Sequence, residues 1–235
     1  MGRGRRTQGD RGSLSRFDLR GHADAFAAEL TDLLNHTITD GIRITAITDK
    51  AGQQARIGHG LSPSDLSALD TIPLAFGRKT PHLYLGLIFK MAADDAGRYP
   101  MVRSSVMYLS ADADGIKTLL HYDYERDKTD DYPEAHLQIC ATSEDWEEAM
   151  ASYGPRGRAL KKLHLPVGGR RFRPSVEDLI EFVVTEKLAS GRPGWKAHVD
   201  RGRQRFEERQ LRAAVRRQPE IALAILREEG HIPDT

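Results

Sequence analysis

The chain contains a single cysteine, Cys140. One thiol can form neither an intramolecular disulfide nor a thiolate-rich zinc site, and such scarcity fits a reducing cytoplasm. Cys140 itself reads as a small buried hydrophobe. Long apolar runs are also missing. The longest, Leu83–Phe89, is far below the ~20 residues of a spanning helix, so no membrane is expected as a partner. The first residues are basic but carry no apolar stretch, which argues against a secretory signal. Net charge is only +1, so overall charge does not call for a polyanion. Lysine is scarce, with nine against 26 arginines. Arginine is the better fork for carboxylate and phosphate, although a GC-rich coding bias gives the same excess. There is no internal repeat, no G-x-S-x-G, no dinucleotide fingerprint and no H-E-x-x-H, so the sequence calls for no cofactor.

What is present divides the 235 residues into three parts. Residues 1–17 are rich in Gly and Arg and lack periodicity, as a mobile basic arm would be. Residues 18–190 are expected to form an α+β domain. Residues 191–235 are expected to form a helical C-terminal extension.

From Asp18 the pattern is helical, with Phe26, Leu30, Leu33, Leu34 and Thr37 at three- and four-residue steps and Asp18 as a cap. Residues 42–48 alternate as a strand, and Gln54–Ile57 is its short return. Ser62 to Leu69 resembles a capped helical turn, and Pro73, Gly77 and Pro81 mark a loop. Three further strands follow, at 82–91, Met101–Ser110 and Ile116–Glu125, and then Ala135–Cys140. Polar turns join them, which makes an antiparallel meander of about five or six strands with helices on one side. Leu163–Pro166 suits a last edge strand. Helices are expected near Ser143, from Pro174, over His198–Arg217 and over Pro219–Glu229. The arginines of the long helix fit either a solvated face laced with ion pairs or a phosphate-facing rim.

The chemistry concentrates in residues 116–140. Side chains alternate across a strand. His121, Asp123 and Glu125 therefore share one face of their strand, and His136, Gln138 and Cys140 share one face of the next. Cross-strand neighbours lie ~5 Å apart, so His121 or Asp123 can meet His136 or Gln138, and His164 can join from the edge strand. Three uses are open. A His pair can act as general base and acid. A His/His/carboxylate set can hold a divalent metal. The patch can also be a recognition face. An ordinary exposed antiparallel face shows the same alternation with no chemistry at all.

Tyr122–Glu125, His136–Gln138 and Leu163–Phe182 (LHLPVGGRRFRPSVEDLIEF) together resemble an uncharacterised bacterial family. More distantly, the aromatic-Asp strand, the His strand and the following Pro-x-x-Glu-Asp helix are similar to small TumE-type toxins of bacterial toxin–antitoxin operons. Those toxins carry a closely spaced His pair where this chain has His136-Leu137-Gln138. The resemblance implies an RNA-directed toxin or defence protein, acting as a metal-independent ribonuclease. In that reading His121 and His136 exchange protons, and Asp123 or Glu125 orients an imidazole. His164, Gln138, Arg170, Arg171 and Arg173 contact the substrate. The alternative is a non-catalytic regulatory module that binds nucleic acid or a cognate protein.

Overall fold

The computed structural model describes residues 17–63, 70–75, 77, 80–129, 132–151, 159–169 and 173–233. The basic arm before Phe17 and residues 64–69 of the helical turn expected at 62–69 lie outside them.

The first helix, α1, spans Leu19–Thr37. Asp18 caps it by accepting from the Gly21 N–H at 2.9 Å. Leu19, Ala23, Ala27, Leu30, Leu34 and Thr37 are buried, a spacing that draws one stripe down the helix. Eight strands follow: β1 (Ile44–Thr48), β2 (Gln54–His59), β3 (Ile72–Leu74), β4 (Leu83–Ala93), β5 (Pro100–Ser110), β6 (Thr118–Glu125), β7 (Ala135–Ile139) and β8 (Leu165–Pro166). They form one antiparallel sheet in the order β1-β2-β4-β5-β6-β7-β8, with β3 paired to β4 as well.

Among the described residues the sheet is mostly a meander, as expected, but it has eight strands rather than five or six. Pro73 marks a loop in the sequence pattern. The structure makes Ile72–Leu74 a short strand with Pro73 exposed between buried Ile72 and Leu74, since an edge position does not need the missing N–H. The edge strand expected at Leu163–Pro166 is present only over Leu165–Pro166, as β8, and leaves His164 outside it. β6 begins at Thr118 rather than Ile116, and Ile116 is 80% exposed. Asp112 explains this: its carboxylate accepts from the Ser110 hydroxyl and the Lys117 N–H, closing the turn around Ile116. Cys140 is exposed, not buried, because β7 ends at Ile139.

Alternation sorts the sheet into two faces. Leu85, Leu87, Phe89 and Met91 of β4, Met107 and Leu109 of β5, and Leu120 and Tyr122 of β6 share a core with α1. The other face carries Gly86, Ile88 and Lys90, then Val106 and Tyr108, then His121 and Asp123, then His136 and Gln138. Gly86 has a packing role on that face. A Cβ there would fall 2.0 Å from the Tyr108 ring, which is its cross-strand partner.

The C-terminal helices are α2 (Glu144–Ala151), α3 (Val176–Thr185), α4 (Trp195–Arg217) and α5 (Pro219–Glu228). Ser175 and Asp178 form a reciprocal capping box at the start of α3. Val176, Leu179, Ile180 and Val183 then join the α1 core. α4 crosses α1 and α3 through its buried Val199 and Gly202. Arg203 of α4 holds Asp178 at 3.1 Å and also Glu181, and Arg209 holds Glu29 of α1 at 2.6 Å. With Arg212 on Glu208, three of the helix's arginines belong to ion pairs within the chain. α2 and α5 bury no residue. Among the described residues, no helix is long and apolar enough to cross a membrane.

Gly202 lets α4 approach Glu177 closely, since a Cβ there would lie 2.4 Å from Glu177 Oε1. Burial at this contact pushes the Glu177 carboxyl above its ordinary value of 4.5, against weaker opposition from Ser175 and Arg205. The folded chain thus binds this proton more tightly than the unfolded chain. The resulting stabilisation is complete below the ordinary value and is lost as pH rises through the raised one. Glu177→Gln removes that loss. Its melting temperature relative to wild type should therefore climb as pH rises above 4.5, and melting curves at a series of pH values measure it.

Candidate active site on the open face of the sheet

Register places Asp123 opposite His136, and His121 opposite Gln138. One carboxylate oxygen gathers two imidazoles. Asp123 Oδ2 lies 3.0 Å from His121 Nδ1 and 3.6 Å from His136 Nε2. Both are within ion-pair reach, and the first is the closer contact. Asp123 Oδ1 is buried and meets no hydrogen-bond partner among the described residues.

The two imidazoles have different surroundings. His121 sets Nδ1 beside the Asp123 carboxylate and is partly exposed, with 21% of its side chain open to solvent. A carboxylate on Nδ1 fixes the tautomer, so that Nε2 carries the lone pair and can accept a proton. His136 is only 4% exposed. Its Nδ1 faces the Pro133 carbonyl at 3.2 Å and its Nε2 faces Asp123, so both ring nitrogens point at acceptors. His164 stands edge-on to His136 with ring centroids 4.7 Å apart, and Tyr132 covers His164 at 3.9 Å. Two histidines thus share one aspartate, and a third packs on the buried one.

The remaining expected residues divide. Gln138 serves the scaffold: its side-chain amide donates to the Lys161 carbonyl. That bond ties the short 3-10 turn Leu160–Lys162 to β7 and sets the exposed Lys161 and Lys162 beside the cluster. Glu125 is exposed and pairs with Lys128 at 3.8 Å, so Asp123 is the carboxylate that holds the imidazoles. Arg173 lies on the opposite side of the sheet, over the ring of core-facing Tyr124 at 4.2 Å. Arg170 and Arg171 lie outside the described residues. Tyr132 and the Lys161 carbonyl were not anticipated, because neither lies in a regular strand whose parity could place it.

A second cluster also escaped the sequence reading. Asp32, His36 and His198 bring ligand-type atoms within 4.8 Å of one another where α1 meets α4. The two rings stack 4.6 Å apart. Burial, with Arg201 and His36 adding to it, holds His198 below the usual imidazole range. These are the residues that could hold a divalent ion, but stacked rings and a neighbouring guanidinium suit one poorly. Comparison with family models, with curated proteins and with solved structures returns no match.

Proposed function

We propose that this chain is an RNA-directed toxin or defence-associated protein of the cytoplasm that cleaves RNA without a metal. The observation that carries the reading is the Asp123 carboxylate set between His121 and His136 on an open sheet face. His121 Nε2 takes the proton of a ribose 2′-hydroxyl, and that oxygen attacks the adjacent phosphorus. The 5′-oxygen leaves with a proton from a donor on the same face, for which His164 is the nearest imidazole to the pair. A 2′,3′-cyclic phosphate and a 5′-hydroxyl remain. His136 is too buried to meet the substrate, so it acts by fixing Asp123. Lys161 and Lys162 supply phosphate contacts.

The test is degradation of a defined single-stranded RNA in the presence of a chelator. His121→Ala should lower the rate by about 10²–10⁴-fold, the usual worth of a general base. His136→Ala should lower it less, together with the melting temperature. Equal cleavage by wild type and His121→Ala would exclude the catalytic reading.

A non-catalytic binding module is the second reading, favoured by the exposed Arg201 and Arg217 of α4. It predicts RNA retention without cleavage, weakening steeply with salt. Salt-insensitive or absent retention would instead leave a cognate protein as the partner.

A further inference from the structure

A groove of about 720 Å³ lies on the helix side of the sheet, bounded by α1, β4, β5 and α4. Sites for small ligands usually measure roughly 300–1,000 Å³. The floor is apolar: Phe26 and Leu30 come from α1, Phe89 and Met91 from β4, and Met107 from β5. Above it the groove is cationic, with Arg126, Arg173, Arg205 and Arg216 among its lining.

Two of these arginines form a built site. Arg173 lies over the Tyr124 ring at 4.2 Å and faces Phe206 of α4 at 5.8 Å. Arg126 is near enough to repel it: burial lowers the Arg173 pKa, and the Arg126 charge lowers it further. The Arg126 Nε is buried and meets no hydrogen-bond partner among the described residues. The Tyr124 hydroxyl is in the same condition. A buried polar hydrogen without an acceptor is costly, and a guanidinium without one more so. Four acids line the groove; Asp95 is exposed in a turn, and the other three are turned to other work. Glu29 is held by Arg209. Asp94 accepts from the backbone N–H groups of Arg98 and Tyr99. Burial favours the neutral form of Glu177. The groove thus joins an apolar floor to an excess of positive charge at one wall.

We infer that the groove binds a single-chain amphipathic anion, an acyl or alkyl chain with a carboxylate or phosphate head. The tail lies along Phe26, Phe89 and Met91, and the head meets Arg126 and Arg173. This site is on the opposite face of the sheet from His121 and Asp123 and does not depend on their chemistry.

Isothermal calorimetry on the full chain tests it with four probes below their aggregation limits: decanoate, decyl phosphate, 1-decanol and acetate. At least one of the two long-chain anions should bind at one per chain, and the stronger identifies the head. Decanol should bind at least about tenfold more weakly, since a charge-assisted contact is worth roughly that much. Acetate should not bind. Arg126→Gln, checked for folding by its melting curve, should weaken the long-chain anion about tenfold and leave decanol unchanged. If that variant does not fold, the ranking of probes on wild type decides. Decanol binding as tightly as the anions would overturn the inference, as would no binding by any probe. A dimer by light scattering without probe binding would also overturn it, because a second copy would then fill the groove.

Discussion

Asp123→Asn should reduce RNA cleavage by roughly three to four orders of magnitude while the chain still folds. The change keeps the shape and removes the charge. Asparagine can turn its NH₂ toward His121 Nδ1, and the imidazole then places its proton on Nε2, where the substrate needs a lone pair. Losses of ~10⁴-fold from a wrong tautomer are known for carboxylate–imidazole pairs. Stability should fall only modestly, by about 1–3 kcal/mol, as His136 Nε2 loses its acceptor in a buried setting. Single-turnover cleavage gives the rate. The imidazole N–H resonance in a proton spectrum gives a readout that a merely structural residue would not move: the signal from His121 Nδ1–H should disappear. Undiminished cleavage with that resonance gone would remove the pair from the chemistry.

The largest effect on stability is expected at Leu87. It is 1% exposed at the middle of β4 and points at the helices. Truncation to alanine should cost about 2–5 kcal/mol, from lost burial and the cavity left behind. Ile88, the next residue, points to the open face and is only partly buried. Its truncation should cost distinctly less. Urea unfolding of the two variants measures the difference. Equal costs would mean that the two faces of the sheet are not as unlike as the alternation of side chains makes them.

Much of this arrangement is legible in the residues. Alternation around Leu119–Glu125 and Ala135–Ile139 is enough to send His121, Asp123, His136 and Gln138 to one side, and a cross-strand spacing of ~5 Å makes contact possible. Pro174 and the Ser175–Asp178 pair announce α3 before any tertiary contact is known. Other features depend on distance along the chain, where local pattern is silent. Nothing in the periodicity says that Asp123 rather than Glu125 receives the imidazoles, because parity treats them alike; the offset of β7 selects between them. His164, which packs on His136, and Tyr132, which packs on His164, both lie in irregular segments. Arg173 looked like a neighbour of His164 because only nine residues separate them, yet the chain crosses to the other side of the sheet between the two. The groove is invisible in the sequence, since its walls come from four elements spread over nearly the whole chain.

The docking of α4 on α1 has a consequence for biogenesis. Val199 shares a core with Leu19 and Ala23, and Glu29 is joined to Arg209 across 180 positions. A ribosome delivers the first helix long before the one that covers it. Until α4 has emerged, the apolar flank of α1 must wait, exposed or shielded by a chaperone, which makes the arrival of α4 the moment when this core commits to its native shape.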